Sequence, residues 1–261
     1  MLELYPAGGS PGAAELSFEP KWRRATMTIG REGADIEYER IEAGGNGHAA
    51  LGYLAKPASD IGCGIVVIHD EWGLTEFIRD VCDRLARAGL VALAPDLFHG
   101  RIAEDQGTAE QLSKELDRDC ADGDLESAVA ELFNQHATAG SKVGALGFGL
   151  GGSLALFLSS RHRRIGAVVD LYGAQPELLP ELERVAAPVL AIFAGEDQSV
   201  SDATVAAFKS GLQRAGVSAS VEVKAGVRTG YMNDTRLDVH NAVAAADTWD
   251  ALLAFFRSEL A

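Results

Sequence analysis

Apolar positions along this chain follow two different rhythms. Over residues 25–29 (ATMTI), 34–42 (ADIEYERIE) and 48–56 (HAALGYLAK) they alternate, with β-branched and aromatic side chains among them. That pattern predicts antiparallel strands, with Gly44-Gly45-Asn46-Gly47 as a turn. From residue 64 the alternation stops. GIVVIH (64–69) and LVALA (90–94) are continuously apolar, as expected of strands covered on both faces, and Pro95 ends the second. Between them Thr75 caps a predicted helix, with Ile78, Val81, Cys82 and Leu85 at helical spacing and Gly89 as its stop. Thr108 and Gln111 read as a capping box, followed by a second helical stretch through Leu125, Val129, Leu132 and Phe133. Strand 142–147, a helix from about 151, and strands 165–171 and 187–194 come next. A helix from Ser201 to Gly216, strand 219–224 and a closing helix over 239–257 complete the pattern; Val239, Val243, Ala246, Leu253 and Phe256 form the last stripe.

Strands alternating with helices predict an α/β architecture with a mainly parallel sheet and helices on both faces. Residues 1–22, rich in Gly, Pro, Ala and Glu, read as an arm that could cover a neighbouring subunit of a homodimer or the pocket mouth; residues 23–261 read as one domain. In such sheets reactive groups gather beyond the carboxyl ends of strands. Loops 69–75, 95–102, 147–152 and 195–200, with segment 226–234, are therefore the places to look for chemistry.

Composition narrows the classes. There are 23 Lys and Arg against 38 Asp and Glu, a net charge of −15. A surface this acidic repels phosphate backbones and anionic lipid, so neither nucleic acid nor membrane is an expected partner. Three cysteines without a CxxC pattern fit a reducing compartment and argue against a structural zinc or other metal site. No secretory pattern opens the sequence, and no apolar run approaches the roughly 18 residues of a membrane span, so a cytoplasmic protein without a cofactor is expected.

Strand 142–147 runs into Gly147-Phe148-Gly149-Leu150-Gly151-Gly152 and then a helix. A strand, a tight turn with small flanking residues and a helix make the geometry of a nucleophile elbow, where the central residue projects at the top of the sheet. Here that residue is Gly149, with nothing to project. The same letters satisfy G-x-G-x-x-G, and Asp170 follows 18 residues after Gly152, as in a dinucleotide site. The motif nevertheless comes after at least two core strands, which favours a packing turn.

HDEWGLTEFIRDVCDRLARAGLVALAPDLFHGR (69–101), GFGLGG (147–152) and GEDQSV (195–200), in this order of elements, resemble the dienelactone hydrolase family of α/β-hydrolases over about residues 48–258. The resemblance implies an α/β-hydrolase fold and a Cys, Asp and His triad on three loops. It sets Asp197 on the acid, Gly149 on the Cys and Thr229, in GVRTGY (226–231), on the His. It also implies an oxyanion hole of the Trp72 and Leu150 backbone amides. Glu71 matches a glutamate that touches the nucleophile; without that thiol it is expected to be a carboxylate in a partly enclosed site, where desolvation and the charge of Asp197 act against its ionised form. Arg101 lies one residue out of register from a substrate-binding arginine, and a second such arginine falls on Met232 or Asn233. His69, Phe98 and Tyr231 are further candidates for lining the pocket.

Glycine cannot attack a carbonyl and threonine cannot shuttle a proton near neutral pH. Ser153, Cys63, Cys82, Cys120 and His240 lie in the wrong places to substitute. Three readings follow for a small carbonyl, ester or lactone-like ligand. One is non-covalent acid/base chemistry of lyase, isomerase or cyclase type, with Glu71 and Asp197 as the catalytic groups. The second is a pseudoenzyme that binds or scaffolds, and the third is a residual hydrolase.

Overall fold

The computed structural model describes residues 52–57, 62–135, 138–173, 182–197 and 200–260, with the backbone alone of 22–31 and 34–43. The expected Gly44–Gly47 turn lies outside the described residues, as does the arm apart from Trp22. Strands β1 (Trp22–Arg31) and β2 (Ala34–Ala43) pair antiparallel as a separate hairpin. The main sheet has seven strands in the order β3-β5-β4-β6-β7-β8-β9. These are β3 (Tyr53–Ala55), β4 (Gly62–Ile68), β5 (Val91–Ala94), β6 (Thr138–Phe148), β7 (Ile165–Leu171), β8 (Val189–Ala194) and β9 (Ala219–Lys224). Only β3, on the edge beside β5, is antiparallel. An antiparallel edge on a mostly parallel sheet is the predicted α/β-hydrolase architecture.

The continuous apolar runs have a simple cause: both faces of the sheet are covered. Along β4, Val66 and Ile68 enter one core with Leu125, Leu132 and Leu154. Ile65 and Val67 enter the other with Ile78, Val81 and Leu85. Helices α2 (Gln106–Glu115), α3 (Arg118–Asn134), α4 (Leu150–Arg161) and α5 (Asp202–Ala215) contribute to the first core; α1 (Glu76–Arg87) and α6 (Ala242–Glu259) contribute to the second. Each fully buried aliphatic side chain of this kind stabilises the fold by about 1.5–3 kcal/mol.

Two local expectations are corrected. The cap of α2 is Asp105, whose carboxylate accepts from the Thr108 amide at 2.8 Å, so Thr108 is inside the helix and makes no capping box. Helix α6 starts at Ala242 because Asn241 caps it, and Val243 is 73% exposed. Its buried face runs through Ala245, Thr248, Leu252 and Phe256, and a hydropathy stripe passes over it because Thr248 is polar. By contrast Ser201 caps α5 and Gly216, at φ +71°, ends it, as the pattern predicts.

Candidate functional site

The strand order aligns the carboxyl ends of β4, β6, β7, β8 and β9, and each end delivers one part of the site. After β6, Gly149 takes φ +51° and ψ −118°. Its amide donates to Leu171 O at 2.9 Å and its carbonyl accepts from Gly152 N at 3.0 Å, which opens α4 directly. Side chains at Gly147, Gly151 and Gly152 would collide with Gly151 O, Ile68 O and the Asp170 carboxylate, respectively. These glycines are demanded by packing, and Asp170 is fully buried, with Oδ1 accepting from Gly173 N at 2.8 Å. The fingerprint lettering thus has a structural origin.

The space in front of Gly149 is occupied. A Cβ added there would lie 2.8 Å from Glu71 Oε2 and 3.5 Å from Asp70 Cβ. Both residues follow β4. Asp70 is the carboxyl with raised proton affinity: burial first, then the like charge of Glu71, push its pKa up to about 8. The Trp72 amide opposes that shift by donating to Asp70 Oδ1 at 3.0 Å. That hydrogen bond also engages the amide expected to face a ligand. Leu150 is the first residue of α4, where no intrahelical acceptor exists for its N–H.

Asp197 and Thr229, which the family resemblance sets on the acid and the His, are in contact, with the Thr229 hydroxyl donating to Asp197 Oδ2. Asp197 is set by a turn after β8, its amide donating to Ala194 O at 3.2 Å, and Glu196 N ties that turn to Val227 O at 2.9 Å.

The remaining candidates disperse. His69 is fully buried; its Nε2 accepts from Leu97 N at 3.1 Å, so Nδ1 donates to Asp70 O at 2.7 Å. Burial lowers its pKa, and its ring packs edge-on against buried Phe98 at 4.8 Å. This pair fastens the 95–98 loop to β4. Arg101 is exposed and pairs with Glu115 of α2 at 2.7 Å. Tyr231 points into the core, bonded to Thr248 at 2.7 Å, and burial first of all pushes its pKa up to about 12. Cys82 is buried in α1, Cys120 is exposed in α3, and Cys63 donates to Leu260 O at 3.2 Å.

One residue that sequence reasoning missed is Arg236. Its guanidinium lies 5.0 Å from the Trp72 ring centroid, and its charge acts on Asp70. The available signal was a lone arginine three residues past the Asn233 slot. Among the described residues no group of three metal-ligating side chains occurs, and no helix is long and apolar enough to cross a membrane.

A mostly parallel sheet with a left-handed strand-to-helix turn after β6 and an acid after β8 defines an α/β-hydrolase. More narrowly, the chain belongs to the dienelactone hydrolase family, whose model matches residues 51–260. It is 32% identical over 235 residues to Protein usf of Aquifex pyrophilus, covering 87% of this chain and 99% of that protein. An Aquifex aeolicus protein, provisionally named a carboxymethylenebutenolidase, is 29% identical with the same coverage. Among solved structures, the dienelactone hydrolase-like promiscuous phosphotriesterase P91 from metagenomic libraries superposes with a TM-score of 0.74 at 23% identity, over 92% of this chain and 99% of that one. That likeness speaks for the fold.

Proposed function

We propose that this family member carries out non-covalent proton-transfer chemistry on a small carbonyl compound bearing a carboxylate. The single observation that carries the reading is the Glu71 carboxylate standing 2.8 Å from where a side chain at Gly149 would begin. On the family correspondence Gly149 holds the Cys position and Thr229 the His position, so the covalent route lacks its attacking atom and its base. What stands in the vacated space is a base of another kind.

Glu71 then abstracts a proton from carbon. Asp70, protonated up to about pH 8, supplies a neutral acid beside it. The Leu150 amide, at the positive end of α4, favours negative charge developing on a substrate oxygen. Arg236, over the Trp72 ring and with its charge felt by Asp70, suits a substrate carboxylate that displaces its exposed partner Asp238. A 2-oxo acid with an enolisable carbon fits these groups, and elimination or isomerisation follows from the enolate.

A second reading, binding without turnover, draws support from the Trp72 amide being engaged by Asp70 and from Asp197 being satisfied by Thr229. Hydrolysis, suggested by the relatives' names, is the third. Incubation with 2-oxobutanoate in D2O, followed by proton NMR, separates them when paired with a nitrophenyl acetate assay. Deuterium entry at C3 without ester turnover is the expected result. Neither activity would leave the binding reading, and ester turnover by the native chain would restore the hydrolase.

A further inference from the structure

Tyr172 has no role in the chemistry above, yet it is the least comfortable residue near the site. It follows β7 directly beside the turn, since Gly149 donates to the carbonyl of its neighbour Leu171. Its ring lies between Phe148, at 6.3 Å, and Tyr231, at 5.8 Å, and so between the residue before the turn and the segment carrying Thr229. Two unfavourable features meet here. The backbone has φ +50°, a left-handed conformation that aromatic residues avoid. The hydroxyl is sealed from solvent and has no hydrogen-bond partner among the described residues, which wastes a buried donor.

Among the described residues the Thr138 and Ser159 hydroxyls are also buried without a partner, but Tyr172 is the one of these that also has a left-handed backbone. Tyr231, the adjacent ring, has its hydroxyl bonded to Thr248. The backbone of Tyr172 is also held on purpose, with its amide donating to Ile192 O at 2.8 Å. The charged and titratable groups that act on its phenol are Asp70, Tyr231, Glu71 and Arg236. Burial pushes the phenol well above its ordinary pKa, so it remains a proton-bearing donor. A buried, unpartnered donor fixed in a strained pose, whose phenol feels the charges of Asp70 and Glu71, is what a site prepared for an incoming oxygen atom looks like.

We propose that the Tyr172 hydroxyl is a catalytic hydrogen-bond donor, forming with the Asp70 carboxyl a two-donor cradle for the carbonyl oxygen of an enolisable ketone or 2-oxo acid. The inference rests on Glu71 being the base. In the step, Glu71 Oε2 takes the α-proton and the C–H pair becomes the new C=C bond. The carbonyl π pair moves onto oxygen, where the two donors hold it without giving up their protons. The reverse movement returns the proton from Glu71 to the same or a conjugated carbon, so nothing is oxidised and no co-reactant is needed. With Asp70 Oδ1 accepting from Trp72, Oδ2 is left to carry the acid proton. A phenol paired with a carboxylic acid kept neutral by burial is a known way to stabilise an enolate.

Phenolates mimic the enolate oxygen, so 4-nitrophenol followed by absorbance is the probe. Native protein is expected to bind its phenolate form. Tyr172→Phe, which keeps the ring contacts, should weaken binding about 100-fold, while Glu71→Gln, imitating the protonated base, should tighten it. In the 2-oxobutanoate exchange assay Tyr172→Phe should lower kcat by a similar factor with KM nearly unchanged, and its Tm should equal or exceed that of the native chain. Equal phenolate affinity and exchange in the two proteins, or a marked fall in Tm, would overturn the role of Tyr172 while leaving Glu71 as base. Absence of both exchange and phenolate binding in the native protein would overturn both.

Discussion

On the β8–β9 side of the carboxyl edge the named groups are partnered: Thr229 donates to Asp197, and the turns that carry them are cross-tied through Glu196 and Val227. On the β4–β6–β7 side the opposite holds. Asp70 retains its proton to about pH 8, Glu71 crowds the bare turn at Gly149, and Tyr172 is strained with an idle hydroxyl. Both sides lie at the carboxyl edge of one sheet, so the contrast does not come from the fold. Unsatisfied buried groups cost stability and persist where function requires them. The quiet side is where the family resemblance places the acid and base of a covalent mechanism, and the tense side is where we place proton transfer.

The contrast breaks most sharply at the base. Glu71→Gln should reduce deuterium exchange into 2-oxobutanoate by about 1000-fold, the scale of a lost general base. Thr229→Val, on the quiet side, should change the same rate less than about threefold. Equal losses at both positions, measured by NMR under one condition, would erase the distinction. Rebuilding the covalent route tests it from the other direction. Gly149→Cys combined with Thr229→His should raise nitrophenyl acetate turnover about 100-fold over the native chain. A side chain at φ +51° costs about 1–2 kcal/mol, and the new Cβ forces Glu71 to yield, so the double variant should melt lower and lose exchange activity.

Much of this edge was legible as letters. The strand, GFGLGG and helix pattern located the turn, and the family resemblance through GEDQSV and GVRTGY set Asp197 and Thr229 on one triad, where the two are in contact. What the letters lacked was direction. Adjacent residues leaving a strand turn opposite ways, so Asp70, rather than Glu71, became the enclosed acid, and its carboxylate took the Trp72 amide. His69 and Phe98 are spent on each other, and the Tyr231 hydroxyl is spent on Thr248 of a helix reached 17 residues later. Arg236 escaped because a loop fixes no spacing: three extra residues bring its guanidinium to the Trp72 ring, where a strand or helix would have carried it elsewhere.

Acid–base linkage supplies a third test. Asp70 has a folded pKa of about 8 against an ordinary value of 3.8. A raised acid adds stability that is complete below the ordinary carboxylate range and is lost as pH rises through about 8. Asp70→Asn keeps an acceptor for the Trp72 amide and stays neutral. Its Tm should therefore fall less than the native Tm between pH 5 and 9, and a parallel fall would mean Asp70 is not the group that titrates. Exchange activity of the native chain should decline over the same upper window as the acid proton leaves.

The smallest expected effect separates two arginines that look alike in sequence. Arg101 lies near a family substrate arginine by resemblance, yet it is 54% exposed and engaged with Glu115. Arg101→Ala should therefore leave kcat and KM for 2-oxobutanoate within about twofold and cost no more than about 1 kcal/mol. Arg236 matches no family position named above and also has an acidic partner, Asp238 at 3.2 Å, but its guanidinium lies on the Trp72 ring and its charge is felt by Asp70. Arg236→Ala should raise KM about tenfold, about 1.4 kcal/mol of ground-state binding, and leave kcat nearly unchanged because the carboxylate it holds takes no part in the proton transfer. It should also raise the Asp70 pKa further, since the positive charge that favours the ionised carboxyl has gone. The alkaline limb of the exchange rate should then move up in pH. A KM effect at Arg101 instead of Arg236 would return substrate recognition to the position the resemblance assigns and leave Arg236 with a purely structural stack on Trp72.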